Sequence, residues 1–213
     1  MKHSRLYTLL AIISLCTTLP ACVPLVAAGV GATGVASTLD RRSYGVQIQD
    51  SEIERRFNHN FPVALEENTQ VSANAFNRWI LLTGRANNEK AKADVEQLAR
   101  NVPNIREVFN EIAIGYPLPF GVRTSDRWVV TQVKARLVDS KEISANHFDV
   151  ICSNGVVYLM GIVTENEANI ATEIARTTKN VVRVVRVMEV VSPAEIARLT
   201  GETPAPVSNA NGK

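Results

Sequence analysis

The chain has 213 residues, with 23 Lys+Arg against 21 Asp+Glu and 46% hydrophobic residues. A charge this balanced excludes bulk nucleic-acid binding, which depends on clustered cations. Three cysteines, two of them within the first 22 residues, exclude a disulfide-built fold.

Lys2 and Arg5 precede an apolar run, Leu6 to Leu19, that is too short to span a bilayer comfortably. This is the charged-then-apolar order of an export signal. The run ends at Leu19-Pro20-Ala21-Cys22, which resembles the lipobox at which a bacterial lipoprotein is cleaved and its new N-terminal cysteine acylated. Leu19 and Ala21 match that motif, whereas Pro20 departs from the usual small or β-branched residue. Cys16 is a poorer site because Leu15 before it is too large. Residues 6–39 carry no charge, but Pro20, Pro24, Gly29, Gly31 and Gly34 interrupt them. The mostly small residues after Cys22 make a weak spanning helix and a better tether. The expected organisation is a signal peptide over 1–21 and an acylated N-terminus and tether over 22–49. Val23 in place of Asp after the cysteine favours the outer membrane, by resemblance to lipoprotein sorting. Loss of Lys2 and Arg5 with the signal leaves 21 basic against 21 acidic residues. Cys152 is then the one unmodified cysteine, expected as a small, unreactive side chain in a strand.

From Asp50 onward one pattern is written twice. Asp50-Ser51-Glu52-Ile53 aligns with Asp126-Arg127-Trp128-Val129, and Trp79 to Gly84 with Val156 to Gly161. Each copy opens on a helix: Ile53, Phe57 and Phe61 in the first, Val129, Val133 and Leu137 in the second, one face in each case. Pro62 stops the first helix. Two strand-like runs follow, Val71–Phe76 with Trp79–Thr83, and Phe148–Cys152 with Val156–Met160. Asn154-Gly155 is a strong hairpin signal; the first copy has Asn77-Arg78, so its turn is expected to be looser. Gly84 and Gly161 are expected to end the second strand of each copy. Helices over Glu89–Arg100 and Glu165–Thr177 come next, rich in alanine for close packing. A third strand carries Val108, Ile112 and Ile114, matched by Val184, Met188 and Val190.

The fold class expected is α+β: two tandem domains, each helix–strand–strand–helix–strand, with a three-stranded mixed sheet packed on two helices. Their bounds are 50–115 and 125–191, joined by a linker over 116–124. Tyr116 and Phe120 of the linker are expected to pack and hold the domains in one orientation. A short helix and a disordered tail fill 192–213.

Three stretches carry a likeness to a known family: Asp40 to Asp50, Asn154 to Thr164, and Asp126-Arg127-Trp128. With these behind a lipobox, each repeat resembles the BON domain, and nearly the whole chain resembles the dual BON-domain periplasmic lipoproteins. The resemblance implies a non-enzymatic protein of the inner leaflet of the outer membrane. It also implies binding of anionic phospholipid through the second domain, support of envelope integrity and enrichment at division sites.

The residues themselves give catalysis little support. His59 and His147 fall in different domains without a carboxylate or cysteine at ligand spacing, and no phosphate loop or nucleophile elbow occurs, so no catalytic residue, metal or cofactor is expected. Asp126 and Asp139 read as an N-terminal helix cap and a solvated helix end. Trp128 lies off the core stripe of its helix. Its indole suits a lipid headgroup zone, and Arg127, Lys134 and Arg136 would add attraction of ~1 kcal/mol each to an anionic leaflet. Packing of Trp128 against the other domain is the competing reading, and the residues alone leave both open. Trp79 reads as core. Glu52, aligned with Trp128, and Glu54 would be repelled by an anionic surface, so only the second repeat is suited to one. Lys179, Arg183 and Arg186 form a second basic cluster that also reads as a guarded strand edge. The partner expected is an anionic, phosphatidylglycerol-like membrane reached by lipidation at Cys22. The alternative is an adaptor for outer-membrane assembly proteins.

Overall fold

The computed structural model describes residues 40–201; the expectations on the signal, Cys22 and the tail lie outside them. Ser43 caps helix α1 (Tyr44–His59), its Oγ accepting from the Val46 N–H at 3.3 Å. A short helix α2 (Val63–Glu66) leads to strand β1 (Thr69–Phe76), which turns into β2 (Trp79–Ala86). Asn88 caps helix α3 (Glu89–Arg100), and β3 (Glu107–Ile114) returns parallel to β2. The second repeat runs α4 (Phe120–Asp139), a 3-10 turn (Ala145–His147), β4 (Phe148–Ser153), β5 (Val156–Val163), α5 (Glu165–Arg176) and β6 (Arg183–Val190). In both sheets the central strand is antiparallel to the strand before it and parallel to the last. A final helix α6 (Pro193–Thr200) starts with Pro at its first turn behind the Ser192 cap.

The predicted helix stripes are buried, Ile53 and Phe57 against α3 and the first sheet, Val129, Val133 and Leu137 against α5 and the second, but Phe61 falls past the end of α1 and is half-buried. Ala168, Ala171 and Ala175 are wholly inaccessible, so α5 lies close on its sheet. Thr164 and Glu167 form a capping box that starts α5.

Three expectations need correction. The first hairpin is not looser: Phe76 pairs with Trp79 as Ser153 pairs with Val156, and Asn77 and Arg78 take left-handed φ of 50° and 64°. A buried carboxylate holds that turn, and this replaces the missing glycine. Gly84 and Gly161 lie inside β2 and β5, not at their ends. A Cβ on Gly84 would stand 2.0 Å from the Gln70 carbonyl oxygen, and one on Gly161 2.5 Å from that of His147. They permit close strand approach, where a neighbouring backbone cannot yield. Tyr116 and Phe120 do not pack; they are 90% and 73% exposed. Phe120 belongs to α4, whose first turns occupy part of 116–124.

What orients the repeats is the second face of each sheet. Phe76 and Leu81 of the first meet Tyr158, Met160, Ile162 and Val187 of the second in one apolar cluster, closed by Ile196 of α6. Trp79 is half-buried there, its ring 5.1 Å from that of Phe109. The central strands are thus apolar on both faces, which is why they read as unbroken hydrophobic runs. Around the rim Glu189 accepts from Asn77 Nδ2 (2.5 Å) and both terminal nitrogens of Arg106 (3.1 Å). Arg41, ahead of α1, reaches across to Glu167 (2.8 Å) and the Ile162 carbonyl (2.9 Å).

Candidate functional site

Helix α4 presents the most distinctive surface. Asp126 is buried, and it is no helix cap, because α4 begins six residues earlier. Its carboxylate accepts from the Asn154 and Gly155 N–H groups, both at 2.8 Å, and from Cys152 Sγ at 3.3 Å. It therefore ties α4 to the β4–β5 turn. Asp50 does the same in the first repeat, accepting from the Asn77 N–H (2.8 Å), the Arg78 N–H (2.7 Å) and Arg42 Nη1 (2.9 Å). Burial, with the Asp126 charge beside it, pushes the Cys152 thiol up to about 12, so it stays protonated at neutral pH. Asp139, the last residue of α4, is exposed.

With Val129, Val133 and Leu137 turned inward, the opposite face of α4 carries Phe120, Trp128 and Val138, respectively 73%, 61% and 70% exposed. At 100° per residue these three, with Thr124, Thr131 and Ala135, fall within an arc of about 80° diametrically opposite the core stripe. Trp128 is not covered by the first repeat. Phe120 and Val138 were missed in the sequence. In the sequence Phe120 reads as linker, and Val138 lies nearly three turns beyond Trp128, so only a helix start at Phe120 brings both onto one stripe.

The cations expected beside Trp128 divide. Arg127 is exposed and has no side-chain hydrogen bond or carboxylate partner among the described residues. Lys134 is exposed but 3.2 Å from Asp149. Arg136 caps the C-terminus of α5, donating to the Ile174 carbonyl (2.6 Å), Thr178 Oγ1 (2.7 Å) and Thr177 Oγ1 (3.0 Å). Of the strand cluster, Arg186 faces Glu165 (3.3 Å) and Arg183 faces Glu111 of the first repeat (3.7 Å). In α1, Glu52 pairs with Arg55 and Arg56, and Glu54 turns in to accept from the Ala75 N–H at 2.7 Å.

His59 is exposed, whereas His147 is 3% exposed with Nδ1 3.4 Å from Glu167 Oε1. Burial alone would raise the Glu167 carboxyl. His147, Arg41 and the Thr164 N–H outweigh it and hold the group well below the usual carboxylate range. Among the described residues no three His, Cys, Asp or Glu side chains gather as metal ligands, and no helix is long and apolar enough to cross a membrane.

The BON domain profile matches residues 49–116 and 125–192. The chain is 32% identical over 177 residues to the outer membrane lipoprotein DolP of Haemophilus influenzae, covering 80% of this chain and 89% of that protein. It is 32% identical over 155 residues to a 21 kDa hemolysin of Actinobacillus pleuropneumoniae, covering 72% of this chain and 80% of that one. Among solved structures it aligns with CdsD, a structural protein of the type III secretion system of Chlamydia trachomatis, at 14% identity. That alignment covers 75% of this chain and 99% of that one, with a TM-score of 0.30. The chain therefore belongs to the BON domain family, of which it carries two copies in tandem.

Proposed function

We propose that this protein is a non-enzymatic outer-membrane lipoprotein that binds anionic phospholipid through helix α4 of its second repeat and supports envelope integrity. The anchor is acylated Cys22, on the periplasmic face, as the lipobox and the lipoprotein relative suggest. The observation that carries the reading is the outward stripe of Phe120, Trp128 and Val138, bordered by Arg127 and Lys134. Side chains this large, turned straight away from the core, lose free energy in water and regain it in an interfacial layer. Exposed Trp128 presents about 150 Å² of mostly apolar surface, worth up to ~4 kcal/mol at ~25 cal/mol/Å². Partial insertion brings that to about 1.5–3 kcal/mol, or about 10- to 100-fold in affinity. Arg127, with no carboxylate partner among the described residues, supplies attraction that salt screens.

Acyl-free protein should co-sediment with phosphatidylglycerol vesicles, less at high salt, and Trp128→Ala should remove most of the binding. Equal binding to phosphatidylcholine vesicles, or indifference to Trp128→Ala, would overturn the reading. An adaptor role has its own support in Tyr44 and Ile48, 78% and 52% exposed one turn apart on α1. Capture of an outer-membrane assembly protein that Tyr44→Ala abolishes and Trp128→Ala leaves intact would favour it.

A further inference from the structure

Where the two sheets face each other, the interface is apolar at one end and polar at the other. On β1 the side chains on the interface face run Gln70, Ser72, Asn74 and Phe76, changing from polar to apolar along the strand. At the polar end a cleft of about 310 Å³ opens between the repeats. Its floor is Gln70, Ser72, Asn74 and Thr83 of the first sheet, and its wall is Arg123 and Arg127 of α4 with Ser153 beyond them. The Arg123 guanidinium lies over the Phe120 ring, 5.9 Å from its centroid. Neither arginine has a carboxylate partner or side-chain hydrogen bond among the described residues. They stand one helical turn apart, where like charges oppose the helix unless something lies between them. Gln70 Oε1 already accepts from the Leu118 N–H at 2.8 Å, which leaves its amide N–H₂ to donate. Asn74, Ser72 and Ser153 keep their side-chain donors unengaged among the described residues. The one carboxylate in the wall, Asp126, is turned onto its own hairpin by three donors.

Two guanidinium forks complement a tetrahedral oxyanion, and the Gln70 and Asn74 carboxamides with the Ser72 and Ser153 hydroxyls, which both donate and accept, suit a hydroxylated substituent beside it. We infer that this cleft binds a phosphate group carried on a small hydroxylated substituent, of glycerophosphate type. Arg127 is shared between the cleft and the border of the Trp128 stripe. A lipid on that stripe could therefore place its phosphodiester in the cleft, and in that form the inference rests on the membrane reading. A soluble glycerophosphate would use the same donors without it.

The test is NMR titration of the isotopically labelled acyl-free mature chain with sn-glycerol 3-phosphate, inorganic phosphate, neutral glycerol, and short-chain phosphatidylglycerol micelles. The expected result is saturable shifts at the Ser72, Asn74 and Ser153 amides and the Arg123 and Arg127 Nε–H groups with glycerophosphate, and none with glycerol. Arg123→Gln in the wall and Asn74→Ala in the floor should each weaken binding about tenfold, whereas Arg127→Lys should retain part of it. Cleft shifts with glycerophosphate but no micelle binding would support the cleft and sink the membrane reading. Micelle binding with shifts confined to Phe120, Trp128 and Val138, and none from glycerophosphate or phosphate, would overturn the cleft alone. Non-saturating shifts spread over exposed amides, unchanged by Asn74→Ala, would also overturn it.

Discussion

Replacing Asp126 by alanine should destabilise the second repeat by about 3–4 kcal/mol. Its carboxylate accepts two backbone N–H groups at 2.8 Å, from a turn in which Asn154 and Gly155 both hold left-handed φ, and a third bond from the Cys152 thiol. Hydrogen bonds to a charged acceptor contribute about 1.5–3 kcal/mol each, and the two amides would be left without a partner under α4. Relief from burying a carboxylate offsets part of that sum, which sets the figure near its lower half. With a urea m-value of about 2 kcal/mol per M, the unfolding midpoint falls by about 1.5–2 M. Asp126→Asn keeps one acceptor oxygen and should lose about half as much. The assay is urea unfolding followed by far-UV circular dichroism and by Trp fluorescence in parallel. A midpoint shift under 0.5 M for Asp126→Ala, with an unchanged m-value, would refute the view that this carboxylate ties α4 to the hairpin.

Arg78→Gly should stabilise the protein by about 0.5–1 kcal/mol and raise its Tm by about 2–4 °C, because Arg78 holds φ of 64° with its Nε buried and unpartnered; an unchanged or lower Tm in calorimetry contradicts this. Gly161→Ala should lower the urea midpoint, costing about 2 kcal/mol, since its Cβ would meet the His147 carbonyl oxygen at 2.5 Å; a neutral result contradicts the close strand approach. Glu167 is held below its ordinary value of 4.5 in the folded state. Its contribution is therefore complete above that pH and is lost as pH falls through the folded value. Urea midpoints measured from pH 6 down to pH 3 should decline less steeply in Glu167→Gln than in the parent, and parallel declines would contradict the Arg41–Glu167–His147 cluster.

The repeat, the helix stripes and the strand order could be read because each rests on local periodicity. Val129, Val133 and Leu137 at four-residue spacing admit one buried face, and Asn154-Gly155 admits one kind of turn. What escaped depends on contacts distant in sequence. Asn77-Arg78 looks unfit for a two-residue turn until Asp50, 27 residues upstream, is seen to hold both of its N–H groups. The start of α4 was hidden by Pro117, Pro119 and Gly121, and Pro119 caps it without a side-chain hydrogen bond. That hid Phe120 as a member of the outward stripe. The packing of sheet on sheet was written in the unbroken runs Trp79 to Leu82 and Val156 to Met160, since a strand with one solvated face would alternate. The charge of Arg136 points to a membrane-facing cation, but its place over the last turn of α5 makes it a cap; no sequence signal marks which Thr or carbonyl it will find.

The central claim is that the Trp128 face of α4 enters the interfacial layer of an anionic membrane, and indole fluorescence with brominated lipid reads it most directly. Trp79 is half-buried between the sheets, so Trp128→Phe isolates its background signal and Trp79→Phe leaves Trp128 alone. In Trp79→Phe protein, phosphatidylglycerol vesicles should shift the emission to shorter wavelength, and bromine on the upper acyl chain should quench it. Neither change should occur with phosphatidylcholine vesicles. Emission that stays at the fully hydrated wavelength while the protein sediments with phosphatidylglycerol would contradict the claim, because binding would then proceed without this ring.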